Sequence, residues 1–277
     1  MTAIIVPVHD ALEQVRRCLA ALARTVHPGD DATVIVIDDA SPDPAVGEVL
    51  AGLPEDWVRV RNRENIGFVG TANLGLALAG RADVILLNSD TEVTSGWLQA
   101  LLECAASDAS IASATPLTNH GEIASIPEFC RGNPWPEQPE HWARACRESG
   151  PYAYTPVPTT VGFCMFMRRA CIDQIGGFDE VAFGRGYGEE NDWCCRASAA
   201  GWIHVLCDSA YVAHEGGASF GPLGLRPDAR AMDALLARHP DYLERVQRFI
   251  HADPMAERRA RICARYRELV QDRPCPA

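Results

Sequence analysis

The feature that most constrains this chain is a regular alternation, from Ile4 to Ala106, of short apolar runs with helix-length amphipathic segments. Ile4 to Val8 has the character of a buried strand, and Leu12 to Ala23 follows with Leu12, Val15, Leu19 and Leu22 at helical spacing. Thr33 to Ile37 reads as a second strand ending in Asp38-Asp39, and Trp57 to Val60 as a third. Phe68 to Ala79 reads as a helix, Val84 to Leu87 as a fourth strand ending in Asn88-Ser89-Asp90, and Gly96 to Ala106 as a helix. Strands alternating with helices predict an α/β fold with a Rossmann-like, mostly parallel central sheet flanked by helices. Functional residues then gather where strands end, which is where His9, Asp38, Asp39 and Asp90 stand.

With 277 residues, 47% of them hydrophobic, the chain can bury an ample core without staples. All 25 basic residues are Arg, which removes a Walker lysine, a Schiff-base lysine and a Ser-Lys dyad. A net charge of -12 argues against nucleic acid as a partner, because that affinity comes mainly from phosphate neutralisation. From Leu225 onward, however, 11 Arg stand against 8 acidic residues. That tail is the candidate for peripheral membrane contact, or simply a solvated helical face. Runs such as Val84 to Leu87 fall far short of the ~20 residues that span a bilayer. Met1-Thr2-Ala3 carries no basic leader, so the sequence reads as cytoplasmic, with the inner membrane face as the alternative location. The 11 cysteines are odd in number and lack a C-x-x-C, the pattern of reduced, buried small hydrophobes.

Between Pro116 and Pro158 periodicity fades among eight prolines, with Trp135, Trp142 and Tyr152 interspersed, and this stretch is expected to face the acceptor. Val161 to Met167 reads as a strand, Cys171 to Ile175 as ordered, Glu189 to Ala200 as a helix stopped by Gly201, and Ile203 to Leu206 and Ala210 to Ala213 as two short strands. From Asp228 two or three Arg-studded amphipathic helices are expected, broken near Pro240 and Pro254. The predicted organisation is a domain over 1–224, with a nucleotide-binding half to about 115 and an acceptor-binding half from about 116, then a helical extension over 225–277.

Five segments occur in a telling order: Val6-Pro7-Val8-His9-Asp10, Asp38-Asp39-Ala40-Ser41, Asn65-Ile66-Gly67-Phe68 with Asn73-Leu74-Gly75, Asn88-Ser89-Asp90-Thr91, and Gly188-Glu189-Glu190-Asn191-Asp192 followed by His214. Together, from residue 4 to about 220, they resemble the family 2 glycosyltransferases, inverting enzymes of the GT-A fold that use nucleotide-diphospho-sugars. The resemblance is nearest to the bacterial rhamnosyltransferase-like, cell-surface polysaccharide branch. It implies a donor site at Pro7, His9, Asp38, Asp39, Asn65, Gly67, Asn73, Asn88 and Ser89. It also implies a divalent cation, Mn²⁺ or Mg²⁺, on Asp90 and His214, with Glu190 as general base and Glu189 as the neighbouring acid. Asn88 departs from the family's D-x-D by replacing its first carboxylate, and Glu190 is one methylene longer than the usual Asp.

Each position also has a plainer reading. Asp38 and Asp39 can accept hydrogen bonds from a base and a ribose, or can help to cap the next helix with Ser41 and Asp43. Asp90 supplies a single hard anionic oxygen, so its cation site is expected to be weak without nucleotide, and an imidazole partner favours Mn²⁺. Glu189, Glu190 and Asp192 open a helix, where acids are favoured by the macrodipole even without chemistry. Arg61 and Arg63 are candidates to neutralise the diphosphate. The reaction expected is a single in-line displacement from a UDP- or dTDP-sugar onto a hydroxyl of a glycan, lipid-linked or protein acceptor. A catalytically silent GT-A module that binds nucleotide or glycan is the alternative. A dinucleotide oxidoreductase is disfavoured because no G-x-G-x-x-G follows the first strand.

Overall fold

The computed structural model describes residues 1–184, 186–216 and 229–271. The first half is built from β1 (Thr2–Val8), α1 (Leu12–Thr25), β2 (Ala32–Asp38), α2 (Pro44–Ala51), β3 (Val58–Arg61), α3 (Gly67–Leu78), β4 (Asp83–Leu87), β5 (Thr91–Val93), α4 (Trp97–Ala106) and β6 (Ile111–Leu117). A 3₁₀ turn, Glu122–Ala124, precedes α5 (Pro139–Glu148), β7 (Cys164–Met167), α6 (Arg169–Ile175), α7 (Glu180–Phe183), α8 (Glu189–Ala199) and β8 (Ile203–His214). The chain closes with α9 (Ala229–Arg238), α10 (Tyr242–Ala252) and α11 (Ala256–Gln271).

The eight strands form one sheet in the order β3-β2-β1-β4-β7-β6-β8-β5. β3, β2, β1 and β4 are parallel, as the alternation requires, with Ile4 opposite Val34 and Ile85. β7 then runs antiparallel to both β4 and β6, and β5 antiparallel to β8, while β6 and β8 are parallel. Side chains alternate across each strand, so β1 sends Ile4, Val6 and Val8 to one core and Ala3 and Ile5 to the other. The first core is covered by α1, α4, α5 and α11, the second by α3, α6, α8 and α9. Gly75 allows α3 to lie directly on β1, since a Cβ there would fall 2.4 Å from Ile5 Cγ2.

Three expectations change. The stretch from Pro116 to Pro158 contains a well-formed helix, α5, whose Trp142 is buried and stacks between Tyr266 and Tyr211 at 3.8 and 5.9 Å between ring centroids. Trp142 is therefore core, and only the part from 120 to 132 turns toward the cavity described below. The two short strands after Gly201 are one, β8, with a register shift at Asp208-Ser209. Of the two or three tail helices expected, three are present, and they pack on the body of the molecule. Arg258 of α11 is buried, and donates to Asp208 Oδ2 at 2.6 Å, to the carbonyls of Cys146 and Ser149 at 2.7 and 2.5 Å, and to Ser149 Oγ at 2.8 Å. The predicted boundary between 224 and 225 lies outside the described residues. The ten cysteines among the described residues are all free, and all but Cys130 are buried.

Candidate active site

A cavity of about 450 Å³ opens where β1 and β4 end, walled by the starts of α3 and α8 and by the end of β8. Of the residues singled out from sequence, Pro7, His9, Asp39, Asn65, Gly67, Asn88, Ser89, Asp90, Glu189, Glu190 and His214 line it. Two do not. Asp38 is turned under the loop, where it accepts from Ser41 N at 2.8 Å and pairs with Arg61. Asn73 sits one turn down α3, bonded to Phe178 N and O at 2.9 Å each, and anchors the loop before α7. Arg61 is spent on Asp38 and the Ser41 carbonyl, and Arg63 is absent from the wall. Among the described residues the arginine on the wall is Arg131, which pairs with Glu128 at 3.1 Å.

On the nucleotide side Asp39 organises the wall. Its Oδ1 accepts from Asn62 Nδ2 at 2.8 Å and Ile66 N at 2.9 Å, and its Oδ2 from Gly67 N at 2.8 Å. This ties the end of β2 to the start of α3, and Gly67, at φ +81, makes the turn into the helix. His9 Nδ1 lies 3.0 Å from the Asp39 carbonyl and therefore donates to it, with Asn65 Nδ2 at 3.1 Å from the ring. The buried Oδ1 atoms of Asn65 and Asn88 have no hydrogen-bond partner among the described residues, so both present acceptors to whatever fills the cavity.

At the ends of β4 and β8, His214 Nε2 lies 3.4 Å from Asp90 Oδ1. The orientation is set from behind. His214 Nδ1 is 2.5 Å from the His120 carbonyl, which can only accept, so Nδ1 carries a proton and Nε2 is the nitrogen left facing Asp90. Asn119 holds the His214 backbone on both sides, accepting from its N–H and donating to its carbonyl at 2.9 Å each, and Phe163 stacks on the ring at 5.0 Å. The described residues hold no group of three or more His, Cys, Asp or Glu side chains poised for an ion. Two ligands facing each other, one anionic oxygen and one imidazole, fit a Mn²⁺ or Mg²⁺ whose other ligands come from a diphosphate and water.

His120 and Asn119 were not legible in the sequence. His120 stands on the cavity wall between two glycines, where a Cβ at Gly132 would meet its ring at 2.3 Å and one at Gly216 at 2.2 Å. The Asn-His pair carries no signal of its own within a proline-rich stretch, and of the glycines that frame it Gly132 lies 12 residues on and Gly216 follows β8.

The acids sit on the first turn of α8. Glu189 is buried and its carboxyl is pushed up to about 7 by that burial, while Glu190 is half-buried and faces the cavity. Burial, and then the charge of Glu189, push the Glu190 carboxyl well above the usual carboxylate range. Desolvation thus outweighs the helix N-terminus, which acts in the opposite direction. Gly162 leaves space beside Glu190, since a Cβ there would lie 3.8 Å from its Cγ.

A family model described as glycosyl transferase family 2 matches residues 3–176. The chain belongs to this family. The match ends before α8, so the acids and His214 lie beyond it. Among curated proteins the chain is 29% identical over 218 residues to an uncharacterised protein of Mycobacterium tuberculosis, covering 77% of this chain and 73% of that one. It is 31% identical over 152 residues to the N-acetylglucosaminyl-diphospho-decaprenol L-rhamnosyltransferase of M. tuberculosis, covering 50% of this chain and 48% of that one. The chain therefore spans about half the length of that rhamnosyltransferase. Among solved structures it superposes on GalNAc-T7 with UDP, GalNAc and Mn²⁺ at a TM-score of 0.61 and 17% identity, covering 87% of this chain and 51% of that one. It also superposes on the mannosyltransferase PcManGT of Pyrobaculum calidifontis with GDP-Man and Mn²⁺ at 0.58 and 16%, covering 99% and 76%. The fold of this glycosyltransferase is accordingly GT-A, as the motif order implied.

Proposed function

We propose that this glycosyltransferase moves a sugar from a UDP- or dTDP-sugar to an acceptor hydroxyl with inversion. The observation that carries this reading is that one cavity is lined both by a raised, cavity-facing carboxylate, Glu190, and by the Asp90–His214 pair. The acceptor oxygen attacks the anomeric carbon, the bond from that carbon to the diphosphate breaks, and its electron pair leaves with the diphosphate. Glu190 takes the acceptor proton, and its raised basicity suits it to do so in the transition state. Glu189, its buried neighbour on the same wall, adds to that basicity through its charge. Asp90 and His214 would hold the divalent cation, which when bound offsets charge on the departing diphosphate. Asn65, Asn88 and His9 orient the nucleoside and sugar.

The rhamnosyltransferase relative, whose name carries a lipid diphosphate acceptor, supports a role in cell-surface glycan synthesis. Contact with a membrane face would use α10, which leaves Leu243 and Ile250 outward beside Arg248. No helix among the described residues is long and apolar enough to cross a membrane.

The test is calorimetric titration with UDP, dTDP and GDP, each with Mn²⁺ and with chelator, followed by turnover of the sugars carried by whichever nucleotide binds. Mn²⁺-dependent binding of UDP or dTDP and release of that diphosphate are expected. Binding without release would make the chain a silent module, and preference for GDP would overturn the donor class.

A further inference from the structure

Helix α8 carries Glu189 and Glu190, yet the turn leading into it is strained. Tyr187, on the cavity wall, has φ +73, and Gly184, Gly186 and Gly188 around it have φ +54, +138 and +95. A non-glycine residue in that region costs of order 1 kcal/mol or more, and it persists only where the surroundings hold it.

The two ends of the turn are held by one side chain from the C-terminal region. Asp179 caps α7, accepting from Ala182 N at 2.9 Å, and Arg238 of α9 binds Asp179 Oδ2 at 2.8 Å. The other guanidinium nitrogen of Arg238 reaches Asp192 Oδ1 of α8 at 3.5 Å, and the guanidinium lies over the Phe183 ring at 5.8 Å from its centroid. Phe183 in turn packs on Gly188, where a Cβ would meet the ring at 3.2 Å. Asp192 has no exposed side-chain surface. Besides Arg238 it is bound by His239 Nε2 at 2.9 Å and by Arg196 Nε at 2.7 Å, and Arg196 also donates to the carbonyls of Ile175 and Gly177.

We propose that Arg238 is a positioning residue: by bridging Asp179 and Asp192 it fixes the Tyr187 turn and the first turn of α8, and thereby the place of Glu190. The inference rests on the reading of Glu190 as the base. It gives the Arg-rich C-terminal region a task inside the reaction rather than only on a surface. A planar two-pronged guanidinium suits two carboxylates on different elements, which a lysine ammonium cannot span equally. The Arg238 side chain is 41% exposed, so its removal leaves the core intact.

The experiment compares Arg238→Gln and Arg238→Lys with wild type, all full length. It reads amide hydrogen exchange of residues 189–193, UDP binding with Mn²⁺, and kcat and KM with the productive donor. In Arg238→Gln the first-turn amides should exchange at least about tenfold faster, and kcat should fall about 10²-fold, the cost of a misplacement on the order of 1 Å, with UDP affinity unchanged. Arg238→Lys, which keeps one contact, should fall between. Unchanged exchange in Arg238→Gln would overturn the proposal, as would a lost UDP affinity with kcat intact. If wild type turns over no nucleotide-sugar, it is the reading of the reaction that fails, and the exchange comparison alone decides the bridge.

Discussion

Replacing Arg258 by Met should unlatch α11, and the cost can be worked from its surroundings. The Arg258 and Asp208 side chains are 3% and 0% exposed, so the pair is shielded from solvent. Removing the guanidinium leaves Asp208, among the described residues, with the backbone amides of Ala153 and Tyr154, at 3.1 Å, against a buried negative charge. The Cys146 and Ser149 carbonyls lose their donor as well. Breaking one side of such a pair costs about 3–5 kcal/mol. At roughly 2–4 °C per kcal/mol for a chain of this size class, the melting point should fall by about 10 °C. Urea unfolding followed by circular dichroism measures the loss. Adding Asp208→Asn to Arg258→Met removes the stranded charge and keeps an acceptor for the two amides, so the double variant should recover about 1–3 kcal/mol. A loss below about 1 kcal/mol, or a double variant no better than additive, would show that the pair is screened and the reasoning wrong.

Glu190→Gln should lower kcat by about 10²–10⁴-fold with UDP affinity retained; near-normal turnover places the base elsewhere. His214→Ala should weaken Mn²⁺ binding to the UDP complex, and Asn119→Ala should do so more mildly, both read by electron paramagnetic resonance; an unchanged titration in both returns them to a structural role. Since the Glu189 carboxyl is raised to about 7 in the folded chain, its neutral form contributes stability that is full below the ordinary carboxylate value and lost as pH rises through about 7. Glu189→Gln should therefore stabilise the nucleotide-free protein at pH 8 by up to about 3 kcal/mol and hardly at pH 4; denaturant melts showing equal effects at both pH values refute this. Gly132→Ala should displace His120, because the added methyl overlaps its ring, and should reduce turnover while leaving the melting point within a few degrees.

The parallel half of the sheet was legible because helix and strand periods alternate cleanly from β1 to β4. The reversal at β7 was not, because four consecutive buried residues, Cys164 to Met167, carry no sign of direction. Helix α5 was hidden by its own start: Pro139, which reads as a breaker, occupies a first-turn position where its missing N–H costs nothing. Asp208 and Ser209 read as a break and prove to be a bulge whose carboxylate serves Arg258. Of the adjacent acids Asp38 and Asp39, only the second reaches the cavity, and which of two neighbours does so depends on where the strand ends. Strand-end residues were found because topology gathers them, while Asn119, His120 and Arg238 act through partners brought together only by the folded chain.

The strand order also governs how this chain can be completed as it leaves the ribosome. β5 is made at residues 91–93, yet its partner is β8, made after residue 203, and the far edge of β4 stays open until β7 arrives at 164–167. A nascent chain ending near residue 160 thus presents the unpaired backbone of β4, flanked by apolar side chains, as a template for any other strand. Early release of such a chain should end in aggregation or chaperone capture rather than in a smaller folded unit.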